Sequence, residues 1–170
     1  MTGLDLLNTT ISEVSRSIRE RQLSPVELTQ ACIEQSERLD PTLNAFTTMT
    51  PEYAIQRAQQ AEKEIISGKY RGPLHGIPYT LKDVIATQGI RTTFGNPRMT
   101  DFKPQESATV HVLLEEAGAV LLGKVYSHIG RGDNPVMCYS PWDPATSPGT
   151  TSSGSGSAVA SGMGLLSIGT

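Results

Sequence analysis

Residues 147–164 read SPGTTSSGSGSAVASGMG, and this segment decides how the rest of the chain is interpreted. It consists mainly of Gly and Ser, which is the composition of a flexible linker between domains. Apolar residues that favour burial nevertheless lie within and after it: Ala158, Val159, Ala160, Leu165, Leu166 and Ile168. We therefore interpret the segment as a buried, hydroxyl-lined turn that opens a helix, where small side chains let backbone N–H groups approach a ligand. An interdomain linker is the alternative interpretation.

The length and charge of the chain limit the classes of protein to which it can belong. A chain of 170 residues is expected to form one domain with a substantial core. The formal net charge of −3 is spread along the chain, which argues against nucleic acid or an anionic membrane as a partner. Because the sequence has neither an apolar run of about 20 residues nor a signal-peptide pattern, we expect a cytoplasmic protein without a membrane span.

The cysteines and histidines do not form a pattern typical of a metal site. Cys32 and Cys138 are far apart in sequence and fit no metal or redox spacing, so we expect two small buried side chains in a reducing compartment. His75, His111 and His128 are scattered along the chain. The sequence therefore predicts no metal and no cofactor.

Residues 1–71 are predicted to form amphipathic helices in which no chemistry is visible. Thr9 and Thr10 can cap a first helix, and Ser24-Pro25-Val26-Glu27 is typical of the start of a second. Asp40-Pro41 is predicted to end the second helix, and Thr50-Pro51-Glu52 to begin a third. Their polar faces mix both signs of charge, so we interpret them as solvated surface.

A lysine lies in an apolar segment shortly after these helices. Residues 77–84 are predicted to form a buried strand, and Lys82 lies inside it between Leu81 and Asp83. Lysine is almost never fully buried without a partner, so one interpretation is a strand-end side chain that reaches water. The other is a desolvated general base, for which lowering the pKa from about 10.4 to about 7 requires about 4 kcal/mol of preference for the neutral amine.

The following residues alternate between a helix, a glycine and a strand, which is typical of an α/β sheet. Ser107 is predicted to open a helix that Gly118 closes, and residues 119–122 to form a short strand. Residues 118–124, GAVLLGK, also have the spacing of a phosphate-binding loop. However, Val125 stands where a hydroxyl would meet Mg²⁺, and the intervening apolar residues favour a strand. A nucleotide site is therefore not expected.

Taken in order, several short motifs resemble the N-terminal part of the amidase-signature enzymes. They are Gly72-Pro73-Leu74-His75-Gly76-Ile77-Pro78, Lys82-Asp83, Thr92-Thr93-Phe94-Gly95, Ala117-Gly118-Ala119, Gly123-Lys124, Asn134-Pro135, Pro141-Trp142-Asp143, Pro148-Gly149 and Ala158-Val159-Ala160-Ser161-Gly162. The resemblance implies an α/β fold, in which the helices of residues 1–71 precede the first strands of a mixed, largely parallel sheet covered by helices in residues 72–170. We expect the 170 residues to be the N-terminal portion of one such domain, because a strand at 165–168 needs neighbours and covering helices from later sequence.

The resemblance also implies a Ser-Ser-Lys triad, with Lys82 as the neutral base. Aligned on Val159 and Gly162, the relay serine of the family falls on Thr151, and a shift of one residue places it on Ser152. We favour Thr151 and keep both residues. The family holds its relay residue by a cis peptide bond. Its attacking serine lies in a loop that would follow Thr170, so we expect residues 1–170 alone to lack the nucleophile and amidase activity.

The sequence does not identify the substrate. Met137, Cys138 and Thr150 are candidate substrate contacts by position, although a core role is the simpler interpretation for the first two. The favoured function is hydrolysis of a small-molecule amide, with a possible homo-oligomer and no nucleic acid or membrane as partner. Two alternatives stay open: the A subunit of a glutamine-dependent tRNA amidotransferase, and a catalytically inactive, truncated interaction protein.

Overall fold

The computed structural model describes residues 9–127 and 138–170, which form helices around a small sheet. The helices in this part of the chain are α1 (Ile11–Arg19), α2 (Pro25–Leu43), α3 (Pro51–Ile66), α4 (Thr109–Glu116) and α5 (Ser153–Ala160). The strands are β1 (Phe46–Met49), β2 (Pro78–Lys82), β3 (Val120–Val125) and β4 (Leu166–Ile168), and a short 3-10 helix spans Pro97–Met99. This arrangement confirms the predicted α/β class, although β1 lies within residues 1–71, where the sequence predicted only helices.

The starts of the first two helices follow directly from their capping residues. The Thr10 hydroxyl accepts a hydrogen bond from the Glu13 amide, and the Glu13 carboxylate accepts one from the Thr10 amide, so the two residues form a capping box. At the start of α2, the Ser24 hydroxyl accepts from the amides of Val26 and Glu27, and Pro25 occupies the first helical position. The polar residues that the sequence offered as caps therefore define both helix starts.

Helix α2 continues past the point at which the sequence predicted its end. Pro41 lies inside the helix, which ends at Leu43, and Asn44 adopts the left-handed conformation at φ 50°. The Asp40 carboxylate accepts hydrogen bonds from the amides of Ala45, at 2.7 Å, and Phe46, at 2.9 Å. The prediction for Asp40-Pro41 was thus wrong by one turn, because Asp40 serves as the anchor of the following chain rather than as the last helical residue.

The sheet has the strand order β1-β3-β2-β4 and is mixed, with two parallel pairings and one antiparallel pairing. Strand β2 lies between β3 and β4 and is parallel to both, and β1 runs antiparallel to β3 at the edge. All five residues of β2 and all six of β3 are buried. This burial on both faces is typical of a parallel sheet covered by helices.

The core lies on both sides of this sheet. One hydrophobic cluster joins α2, α3 and α5 to β3, and a second joins the other face of β2 and β3 to α4. Residues 9–127 and 138–170 contain no helix long and apolar enough to cross a membrane. Because β2 carries Lys82 and pairs with β4, the sheet positions the candidate site.

Candidate active site

Lys82 is the last residue of β2, and its side chain is almost completely buried, with 3% of its surface exposed. Its Nζ donates hydrogen bonds to Thr170 Oγ1, at 2.7 Å, and to the Thr170 carbonyl oxygen, at 3.3 Å. Burial lowers the pKa of the Lys82 amine below its ordinary value, since desolvation penalises the ammonium form. Both partners of the amine are oxygens of Thr170, and within the described residues no Asp or Glu side chain is among its hydrogen-bond partners.

The two candidate relay hydroxyls converge on the same residue as Lys82. Thr151 Oγ1 donates to the Thr170 carbonyl oxygen at 3.2 Å, and Ser152 Oγ donates to that oxygen at 3.1 Å. The Thr170 amide in turn donates to Ser152 Oγ at 3.1 Å. Lys82 ends β2, whereas Thr151 and Ser152 are consecutive residues before α5, yet each of the three side chains is one hydrogen bond from Thr170.

The Gly/Ser segment forms a turn that opens a helix, as the sequence predicted, but the expectation that the turn is buried was wrong, since Gly149, Thr150 and Thr151 are exposed. Ser152 is the N-cap of α5, and the first helical residues Ser153, Gly154 and Ser155 are buried. A Cβ on Gly154 would collide with the Tyr126 amide nitrogen, so only glycine allows this close approach. Every peptide bond in the described residues is trans, in contrast to the cis bond that the resemblance implied. The turn directs both hydroxyls toward Thr170 with trans bonds throughout.

The three candidate substrate contacts have different locations. Cys138 lies in the hydrophobic core with 1% of its surface exposed, and burial raises the pKa of its thiol to about 11. Thr150 is exposed and directly precedes Thr151. Met137 lies outside the described residues. Of the three positions, only Thr150 is shown both at the surface and beside the hydroxyl pair.

A second buried lysine, Lys124 on β3, was quoted in the sequence analysis only as part of a motif. Its side chain has 0% exposure, and its Nζ donates to the Ile85 carbonyl and, at 2.9 Å, to Thr92 Oγ1. Burial lowers the pKa of the Lys124 amine to about 8, against the opposing attraction of Asp83. The sequence signal that could have revealed it was a lysine inside a run of apolar, strand-forming residues.

Other features of the described residues do not contribute to this site. A polar groove of about 670 Å³ runs along α3 and is lined by residues such as Tyr53, Arg57 and Lys63, and Lys82 is not part of its lining. Within residues 9–127 and 138–170, no group of three or more His, Cys, Asp or Glu side chains could hold a metal ion. The candidate chemistry of the described residues therefore concentrates on the amine and hydroxyls around Thr170.

Comparison with known proteins agrees with this arrangement. The family model described as Amidase matches residues 27–170. The A subunit of the glutamyl-tRNA(Gln) amidotransferase of Dehalococcoides mccartyi is 39% identical over 97% of this chain and 35% of the relative. The putative amidase AmiD of Mycobacterium bovis is 38% identical over 94% of this chain and 34% of the relative.

Solved structures show the same likeness. The peptide amidase PAM in complex with the competitive inhibitor chymostatin superposes with a TM-score of 0.89 at 31% identity, over 95% of this chain and 36% of that chain. Native peptide amidase from Stenotrophomonas maltophilia superposes with a TM-score of 0.86 at 31% identity, over 92% of this chain and 35% of that chain. The chain spans about a third of the length of the relatives that it matches.

Proposed function

Since this chain belongs to the amidase family, we propose that the protein carrying it hydrolyses the C–N bond of a carboxylic amide and releases ammonia or an amine. We assign Lys82 as the base and Thr151 or Ser152 as the hydroxyl that relays the proton. The observation that supports this assignment is the convergence of the Lys82 amine and both hydroxyls on Thr170.

The burial of Lys82 supplies the property that a base needs. A lysine at its ordinary pKa is charged at neutral pH and cannot accept a proton, whereas a desolvated amine is neutral in a larger fraction of molecules. A hydroxyl is a weak nucleophile until an aligned base takes its proton. In the proposed cycle, the amine accepts a proton through the relay hydroxyl from an attacking serine and returns it to the departing amine of the substrate.

Because the chain spans about a third of the length of the relatives that it matches, the experiments use the full-length protein. We expect Lys82→Met to lower kcat for a simple aryl amide by about 10²–10⁴-fold, which is the usual contribution of a positioned base. Lys63→Met is the matched control, because Lys63 is an exposed lysine on α3 remote from the site. Near-normal turnover by folded Lys82→Met would contradict the assignment of the base.

The relay hydroxyl is assigned by paired substitutions. Thr151→Val removes the hydroxyl while keeping the shape of the side chain, and Thr151→Ser keeps the hydroxyl. Ser152→Ala and Ser152→Thr form the corresponding pair. The relay residue is the one whose hydroxyl-free variant loses activity while its hydroxyl-retaining variant stays active. If both hydroxyl-free variants retain wild-type kcat, neither residue relays the proton.

A second candidate function follows from the relatives that are amidotransferase components. In that case the same chemistry would release ammonia from glutamine inside a complex with other subunits. The Thr150-Thr151 pair and the Val125-Tyr126-Ser127 segment depart from the pattern that such proteins keep, so we favour the independent amidase. Glutaminase activity and co-purification of a second protein would favour the second function, and turnover of neither glutamine nor other amides would favour the inactive interaction protein.

A further inference from the structure

The buried lysine Lys124 holds the segment of chain that directly follows Lys82. This segment, residues 83–95, leaves β2 and returns to its own start, where the Phe94 amide donates to the Asp83 carbonyl oxygen at 3.0 Å. The Lys124 ammonium donates to the Ile85 carbonyl oxygen near its start and to Thr92 Oγ1 near its end. Thr92 Oγ1 also donates to the Ile90 carbonyl oxygen at 3.1 Å, so the lysine binds a hydroxyl that is itself oriented.

Asp83 fixes the same segment from within. Its carboxylate accepts hydrogen bonds from the Thr93 amide, at 3.2 Å, and from the Thr93 hydroxyl, and its carbonyl oxygen accepts from the Phe94 amide at 3.0 Å. The Asp83 amide donates to the Val125 carbonyl oxygen at 2.9 Å, which ties the segment to the residue after Lys124. Asp83 also favours the charged form of Lys124, because it raises the pKa of the amine against the effect of burial.

The two lysines point to opposite faces of the sheet. In the parallel pairing of β2 with β3, Lys82 is the partner of Val125 and Lys124 is the partner of Leu81. Paired residues on neighbouring strands share a face, and successive residues alternate between faces. Lys124 therefore contacts residues 83–95 from the face of the sheet opposite to the Lys82 amine, and its own hydrogen bonds go to Ile85 and Thr92 rather than to Thr170.

We propose that Lys124 is a positioning residue for Lys82. Its hydrogen bonds to Ile85 and Thr92 fix residues 83–95. The fixed segment excludes water from the Lys82 amine and keeps the amine aligned with the hydroxyls at Thr170. This inference rests on the proposed function. Burying an ammonium at 0% exposure carries a large desolvation penalty, whereas an aliphatic side chain of similar volume would fill the same space without it. What the Lys124 amine provides in exchange is a link between Ile85 and Thr92, near the two ends of the segment that follows Lys82.

Two substitutions separate this role from general packing. Lys124→Met removes the amine and retains the volume. Thr92→Val removes one hydrogen-bond acceptor and keeps the charge of Lys124. The electrostatic interactions of Lys124 with Asp83 and with His111 on α4 therefore stay in place. Thr92→Ser is the matched control, because it preserves the hydroxyl.

In the full-length protein, we expect Lys124→Met and Thr92→Val to lower kcat for an aryl amide about tenfold and to change KM less than twofold. We also expect the pKa of the Lys82 amine to rise toward its ordinary value, because water reaches a loosened segment. Competitive acetylation with isotopically labelled acetic anhydride, followed across pH by mass spectrometry, measures that pKa without relying on amide turnover. Thr92→Ser should match the wild-type protein in both readouts.

An unchanged pKa of Lys82 in folded Thr92→Val and Lys124→Met would overturn the proposal, whatever their stability. If Lys124→Met does not fold, Thr92→Val decides alone. The outcome is distinguishable from failure of the proposed function: that failure appears as full turnover by Lys82→Met or no amide turnover by the wild-type protein, and the acetylation experiment still reports whether Lys124 controls the Lys82 amine.

Discussion

Lys82 and Lys124 lie on neighbouring parallel strands and are both buried, yet they have different surroundings. Lys82 binds Thr170, which also accepts hydrogen bonds from the hydroxyls of Thr151, an exposed residue, and Ser152, a half-buried one. Lys124 donates hydrogen bonds to the Ile85 carbonyl oxygen and to the buried Thr92 hydroxyl, both within residues 83–95. Burial lowers the pKa of both amines, so burial alone does not identify a base. Each amine also binds one carbonyl oxygen and one threonine hydroxyl, so the difference lies in the exposed Thr151 and the half-buried Ser152, which share the partner of Lys82.

The substitution with the largest expected loss of activity tests whether the Lys82 side chain must be able to lose its proton. Lys82→Arg keeps the positive charge but replaces the amine with a guanidinium that stays protonated in proteins. We expect kcat in the full-length protein to fall about 10²–10⁴-fold, as for complete loss of a base. Steady-state kinetics on an aryl amide measure this loss. An active Lys82→Arg enzyme would mean that charge rather than basicity is the contribution of this residue.

The next effect concerns the pH dependence of stability at Lys124. Its folded-state pKa of about 8 lies below the ordinary value of 10.5, so the unfolded chain binds more protons between these values and stability rises with pH across that window. The total gain is about 3 kcal/mol. We expect urea unfolding from pH 7.5 to 10.5 to show that the free-energy difference between wild-type protein and Lys124→Met changes by this amount in favour of wild type. A pH-independent difference would show that Lys124 titrates normally.

The smallest expected loss of activity comes from a substitution on the face of the sheet that carries Lys82. A Cβ on Gly169 would lie 2.8 Å from Ser152 Oγ, so Gly169→Ala displaces that hydroxyl from Thr170. We expect kcat to fall about tenfold, because small misplacements of catalytic groups are costly. The contribution of Lys124 to the pH dependence of stability, measured by urea unfolding as above, should stay at its wild-type value. A change at Lys124 would show that the two faces are not independent.

The sequence predicted those features that depend on neighbouring residues. Ser24 and Thr10 define helix starts through bonds to amides within three residues, and glycine with small hydroxyl side chains allows the tight entry into α5. Lys82 was predicted to lie in a buried strand because apolar residues surround it in sequence. Each of these features depends mainly on residues that are close together in sequence.

The features that the sequence did not reveal depend on distant partners. Strand β1 contains two threonines and forms because β3, more than seventy residues later, offers an edge for antiparallel pairing. The contacts of Lys124 exist only once residues 83–95 have folded, and no local pattern encodes that fold. The same holds for Thr170, whose role as the common partner of three side chains follows from the placement of β4 beside β2.

The close approach at Gly154 has a consequence for engineering the turn. The Ala45 carbonyl accepts from the Tyr126 amide, and the Tyr126 carbonyl accepts from the Gly154 amide, so three distant stretches of backbone are joined in one line. Libraries that diversify this loop for new substrates should therefore keep position 154 invariant. Position 156, where an added methyl group would meet its nearest neighbour at an ordinary 3.5 Å, is the better place for variation.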